Sequence, residues 1–216
     1  MQVSIICIAT LDGRIAPAGF GSREDRRFLE QMRAETDASL LGAGSLRESD
    51  PEMRGPDGIL DPARLRCLIT SSTALPRTRK IFSDPDCRPL VFCPGQRMSA
   101  LRESMGETAE IIGTDVDSRG MVPLEAVLEE LAGRGVKRLL IEGGGRLNHE
   151  ALRAGIVDEL LLTLAPKISG RVDTACLADG PDHLGAPMLE LMLAQWRAAP
   201  TGELFLRYRI PRKNRS

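Results

Sequence analysis

The chain is poor in the residues that build metal and disulfide sites. It has only two histidines, His149 and His183. They show no ligand spacing, so no metal is expected, and His149 is expected on an exposed helix face. The five cysteines are odd in number and no two form a CxxC pair, which argues against a zinc site or a disulfide framework and favours a reducing cytoplasm. Cys7, Cys67 and Cys93 fall in apolar runs, where a thiol acts as a small hydrophobe. No basic excess exists: 29 Lys and Arg face 30 Asp and Glu, for a net charge of −1. No nucleic-acid partner is therefore expected, and the basic Arg212-Lys213 pair reads as a solvated tail. No apolar run approaches the ~18 residues of a membrane span. The first one lacks a basic leader and is cut by Asp12-Gly13-Arg14, so neither a membrane partner nor a signal peptide is expected.

Familiar nucleotide and hydrolase signatures are missing too. No strand pattern is followed by GxGxxG with an acid ~20 residues on, and Gly42-Ala43-Gly44 is only part of it. There is no GxxxxGK[ST] and no GxSxG elbow. Repeats and linkers are absent, so one domain over 1–216 is expected.

What is present is alternation. Apolar strand patterns at 3–9, 38–41, 65–70, 89–93, 109–112, 136–141 and 157–164 are interleaved with helix patterns. Ser22 reads as the N-cap of a helix with Glu24 and Asp25 in its first turn. Pro123 opens another, with Leu124, Val127, Leu128 and Leu131 at three-four spacing. Residues 146–154 form a third. The segment 17–21 reads as a glycine-rich loop, 48–62 as a long polar loop, and 188–196 as helix or strand. The end of the chain reads as a hairpin around Thr201-Gly202, with Trp196 and Tyr208 packed on the sheet. The class is α/β with a mainly parallel sheet.

Candidate ligand residues sit at the strand ends. The strongest is Glu142-Gly143-Gly144-Gly145, between a strand and a helix. Glycines there let backbone approach a ligand, and the helix N-terminus suits a phosphate. Thr10 to Arg14, Gly42 to Ser45 and Thr70 to Thr73 are further tips, so a phosphate-bearing cofactor is expected. Among the acids, Asp12 reads as a turn-former. Asp50 reads equally as a cap or as a proton-handling group, and Glu142 as a ligand-facing carboxylate. Arg14, Arg33 and Arg54 are candidates to grip a substrate phosphate by forked hydrogen bonds.

Taken in order, these residues resemble the pyrimidine reductases of riboflavin biosynthesis. The resemblance is carried by Thr10-Leu11-Asp12-Gly13-Arg14-Ile15-Ala16, Met32-Arg33-Ala34-Glu35-Thr36-Asp37-Ala38, Gly42-Ala43-Gly44-Ser45 and Asp50-Pro51. It continues through Glu142-Gly143-Gly144-Gly145-Arg146-Leu147-Asn148, Gly155-Ile156-Val157-Asp158-Glu159-Leu160, Ala165-Pro166-Lys167 and Leu206-Arg207-Tyr208-Arg209. It implies a dihydrofolate-reductase-like fold: a mixed, mainly parallel central sheet flanked by helices, with an antiparallel C-terminal hairpin. It also implies a homodimer, NADPH, and reduction of the ribosyl group of 5-amino-6-(5-phosphoribosylamino)uracil to ribityl.

By position, Ser45, Ser71 and Gly144-Gly145-Arg146-Leu147 match cofactor contacts of that family. Thr10, Gly42, Gly44, Ser49, Ser72 and Gly143 join that set. Ser22, Arg33, Met53 and Glu142 match its substrate contacts, with Arg54 a loose counterpart of a further arginine. Glu142 is expected on the pyrimidine edge, with Asp50 the second catalytic candidate. Ser22 and Arg33 are expected on the substrate phosphate. Ser71 and Ser72, with Arg77 or Arg79, are expected on the adenosine-ribose phosphate of NADPH. The chain departs from the family at Ser49, where an acid is usual, and in a shortened loop after Pro51. Two alternatives stay open: a reductase of the same fold acting on another substrate such as a pterin, and a non-catalytic nucleotide-binding paralogue.

Overall fold

The computed structural model describes residues 1–15, 19–185 and 188–211. Parts of the expected loop at 17–21 and the Arg212-Lys213 tail lie outside the described residues. The strands are β1 Gln2–Ala9, β2 Ala38–Gly42, β3 Leu65–Ile69, β4 Leu90–Pro94, β5 Glu110–Thr114, β6 Arg138–Ile141, β7 Glu159–Leu164, β8 Met192–Ala198 and β9 Leu204–Arg209. The helices are α1 Arg23–Ala34, α2 Ala43–Ser49, α3 Met98–Met105, α4 Leu124–Gly133 and α5 Gly145–Arg153. All nine strands form one sheet in the order β5-β4-β3-β2-β6-β1-β7-β9-β8. The first seven are parallel. β9 runs antiparallel to β7, and β8 antiparallel to β9.

The strands form where apolar runs must be buried on both sides, as a parallel sheet requires. Alternate side chains enter different cores. Leu40, Cys67, Phe92 and Ile141 pack in one cluster, whereas Leu41, Leu68, Val91 and Cys93 pack in another. Two helices start at signals that the sequence carries. The Ser22 hydroxyl accepts from the Glu24 and Asp25 amides at 3.1 and 3.2 Å, and α1 then presents Met32 and Arg33 inward. Pro123 precedes α4, whose Leu124, Val127 and Leu131 are buried.

The structure corrects the sequence reading in four places. The tip Gly42 to Ser45 continues into α2, held by buried Leu46 and Ala43, so the polar loop begins only at Asp50. α3 occupies a stretch with no assignment, anchored by fully buried Leu101 and Met105. His149 is buried, its Nε2 2.9 Å from the Asp182 carbonyl oxygen. Trp196 is 67% exposed, because β8 is the sheet edge and all seven of its residues are exposed. Tyr208 packs partly buried against the core.

Candidate functional site

Parallel strands bring their carboxyl ends to one edge of the sheet. There β1, β2, β3 and β6 open a cleft of ≈ 1580 Å³, larger than the ~300–1,000 Å³ of a pocket for one drug-sized ligand. Gly42, Gly44, Ser45, Ser49, Asp50, Arg54, Ser71, Ser72, Glu142 and 143–147 all line it.

The glycine bend is the centre of the cleft. Gly143 and Gly144 have φ of +96° and +93°, a region side chains rarely tolerate. A Cβ on Gly144 would stand 2.9 Å from the Ser45 Oγ. At Gly145 φ is ordinary, and space decides: a Cβ would lie 2.5 Å from the Cys176 carbonyl oxygen and 2.6 Å from the Asp179 Oδ2. No side chain caps α5. Its first residues line the cleft beside the Ser45 hydroxyl, and an uncapped helix start with free amides fits a phosphate.

Glu142 begins where β6 ends. Arg33, from α1, grips it with a fork: Nε donates to Oε1 at 2.9 Å and Nη2 to Oε2 at 2.6 Å. Ser39 Oγ also donates to Oε1, and Arg64 Nη2 donates to Ser39. Burial pushes the Glu142 carboxyl upward. The Arg33 charge and hydrogen bonds, with help from Ser39 and Arg64, outweigh that and hold it below the ordinary carboxylate range. Glu142 is thus an anion whose side chain is 6% exposed. A carboxylate offers about four acceptor positions; among the described residues three are engaged, leaving one on Oε2.

Protein partners engage several of the residues expected to contact ligands. Arg33 is 2% exposed, and its Nη1 donates to the Arg54 carbonyl at 2.8 Å. Its fork is occupied by Glu142, so it is not free to grip a phosphate. Arg14 is likewise engaged, by the Thr174 carbonyl at 3.0 Å and the Cys176 Sγ at 2.7 Å. Thr10, Ser22 and Met53 are not on the cleft wall. The Thr10 hydroxyl closes a turn by donating to Asp12 at 2.6 Å, Ser22 donates to Glu203, and Met53 is a core residue at φ +59°. Asp12 holds the turn through the Ser169 and Gly170 amides. Arg77 Nη2 lies near Gly106, and Arg79 donates to the Arg47 carbonyl. Arg47 itself lines the cleft and donates to the Ser72 hydroxyl at 2.7 Å. Asp50 accepts from the Lys80 amide at 2.9 Å, and Arg54 pairs with Glu52. No metal-holding cluster of acids, cysteines and histidines occurs among the described residues.

Sequence reasoning missed Arg47, which no motif marks. It also missed Asp25, noted only as a first-turn acid. Its four-residue steps to Leu29 and Arg33 were the available signal.

The model of the RibD C-terminal domain family matches residues 2–205. The chain belongs to this family. Several relatives bear the name 2,5-diamino-6-ribosylamino-4(3H)-pyrimidinone 5′-phosphate reductase. The one from Archaeoglobus fulgidus is 31% identical, covering 82% of this chain and 85% of its own. The one from Methanothermobacter thermautotrophicus is 32% identical, covering 79% and 80%. Among solved structures, a pyrimidine reductase-like protein from Corynebacterium diphtheriae superimposes with a TM-score of 0.81 at 26% identity, over 98% of this chain and 92% of that one. The fold is the dihydrofolate-reductase-like fold of the RibD reductase domains.

Proposed function

We propose that this RibD-family chain is a single-domain, NADPH-dependent reductase that converts the ribosylamino group of a pyrimidine 5′-phosphate to ribitylamino in riboflavin biosynthesis. The observation that carries the reading is the uncapped, Cβ-free bend at 143–145 beside the single free acceptor of Glu142. The bend suits the cofactor pyrophosphate, and the acceptor suits one N–H of a heterocycle.

The cofactor supplies the hydride when bound, and the protein orients both partners and excludes water. Ser45 and the first amides of α5 hold phosphate oxygens. Arg47 and Ser72, at the β3 side of the cleft, take the extra ribose phosphate that distinguishes NADPH. On the opposite side, Ile6, Ile8, Ile15 and Leu29 form an apolar wall suited to the flat nicotinamide ring. Arg33 acts through Glu142, fixing the carboxylate that meets the pyrimidine.

Two pyrimidines are compatible with this geometry. They differ at C2 of the ring, an amino group in the compound named for the archaeal relatives and an oxo group in the deaminated uracil. Purified protein is mixed with NADPH and each pyrimidine, and loss of NADPH absorbance is followed. Turnover with either supports the reading and ranks the two rings. No oxidation with either, alongside measurable NADPH binding, contradicts the reading and leaves a same-fold reductase of another substrate or a nucleotide-binding paralogue.

We also infer a homodimer that pairs along β8. Met192, Leu193 and Trp196 are 60%, 52% and 67% exposed on an open edge strand, a combination that invites pairing with a second copy. A cytoplasmic location is inferred from the five free cysteines; no helix among the described residues is long and apolar enough to cross a membrane.

A further inference from the structure

Asp25 faces the cleft without a task in the scheme above. With Leu29 and Arg33 it forms a stripe at four-residue spacing on one face of α1, and all three residues line the cleft. At ~1.5 Å per residue, Asp25 lies ~12 Å along the helix from Arg33, about the reach of a nucleoside. Arg33 fixes the Glu142 that meets the heterocycle. Asp25 stands at the other end of the stripe, beside the apolar wall of Ile8 and Leu29. Gly21 makes this position possible, since a Cβ there would collide with the Asp25 carboxyl and touch Ile8 Cδ1.

Charged and polar neighbours come from the β8–β9 turn, β7, β1 and α1 itself. Glu203, in the β8–β9 turn, is 3% exposed and stays ionised. Burial pushes its carboxyl up, but the Ser22 amide at 2.9 Å, the Ser22 hydroxyl and the Thr201 hydroxyl at 3.0 Å prevail, helped by Lys167. Thr163 comes from β7 and Cys7 from β1, and Arg26 from α1 itself. Burial raises the Asp25 carboxyl above its ordinary value and the Glu203 charge raises it further; Thr163 and Arg26 oppose this and lose. Three other cleft acids are instead held low with the help of cations: Glu142 by Arg33, Glu52 by Arg54, and Glu150 by Arg119 and Arg153. Two neighbouring carboxyls driven apart in acidity mark a proton-holding partner and an anionic one.

We propose that Asp25 is the proton donor of the reduction, a role that rests on the reductase reading. In the ring-opened sugar, C1′ is joined to the amino nitrogen by a C=N bond. A hydride from the reduced nicotinamide forms the new C1′–H bond, and the C=N π pair moves to nitrogen. The Asp25 proton forms the N–H bond there, and the resulting carboxylate recovers a proton from water. C1′ is reduced and the nicotinamide oxidised, with no other reactant required.

The test is a pH–rate profile of the wild type, Asp25→Asn and Glu203→Gln, with NADPH binding measured on each. Wild-type kcat is expected to fall at alkaline pH and to show a solvent deuterium isotope effect. Asp25→Asn loses about 100-fold or more in kcat, the scale of a general acid. It also loses the alkaline limb, while NADPH affinity is unchanged. Glu203→Gln removes the like charge and moves the limb to lower pH. An Asp25→Asn enzyme that keeps most of its kcat and the wild-type profile overturns the assignment and leaves the reductase reading standing. If that variant does not fold, a flat wild-type profile from about pH 5 to 9 without an isotope effect overturns it equally. A wild type that turns over neither pyrimidine removes the reading itself, and this role with it.

Discussion

Arg33 and Glu142 lie 109 positions apart and meet in a two-pronged ion pair of 2.9 and 2.6 Å. The pair ties α1 to the end of β6 at the centre of the cleft wall, and it is a structural commitment as much as a functional one. Breaking a buried pair by removing one partner costs ~3–5 kcal/mol, because the other charge is left uncompensated.

Glu142→Gln is therefore expected to lose stability as well as turnover. Glu142 is held below the ordinary carboxylate range, so its contribution is complete above that range and is lost as pH falls through the lowered value. Urea unfolding should show a deficit of about 3–5 kcal/mol at neutral pH that shrinks in acid. An equal deficit at both pH values would mean that the pair does not hold the carboxylate ionised.

Gly144→Ala places a side chain at φ +93° and a Cβ 2.9 Å from the Ser45 Oγ. Strain of this kind costs ~1–3 kcal/mol, and the new methyl enters the proposed pyrophosphate site. NADPH titration is expected to show affinity weakened by about 5- to 150-fold. Unchanged affinity would move the cofactor away from the bend.

Arg47→Ala should convert coenzyme preference. A hydrogen bond to a charged group is worth ~1.5–3 kcal/mol, so kcat/KM for NADPH should fall by about 10- to 150-fold while that for NADH changes little. Equal losses with both coenzymes would place the arginine elsewhere than on the ribose phosphate.

Trp196→Asp and Leu193→Lys put charge on the exposed edge of β8. Sedimentation analysis is expected to show a dimer for the wild type and monomer for these variants, with the monomer still folded. A dimer that survives both changes would put the interface on another surface.

Much of the fold was legible because burial writes itself into local pattern. β1, β6 and β7 are nearly continuous apolar runs, Ser22 and Pro123 mark helix starts, and 201–202 mark the hairpin. α2 was hidden because Gly42-Ala43-Gly44 reads as a turn, glycine being a poor helix former; the helix forms because Leu46 and Ala43 find core partners. Trp196 was placed inside by residue type, whereas strand order decides that β8 is an edge. At the site, the glycine bend, Glu142, Ser45 and Ser71 could be found from strand ends alone. The engagement of Arg33 with Glu142, of Arg14 with Cys176 and of Ser22 with Glu203 could not, since each joins distant segments that no periodicity relates.

The central claim is that this cleft passes a hydride from a reduced nicotinamide to the sugar carbon bonded to the pyrimidine amino group. The most direct measurement supplies NADPH deuterated at the transferable nicotinamide position, together with the ribosylaminopyrimidine 5′-phosphate, and reads the product by mass spectrometry and NMR. The account predicts a ribityl product carrying one deuterium at C1′. A reduced product with no deuterium at C1′, or label at any other carbon, would contradict it.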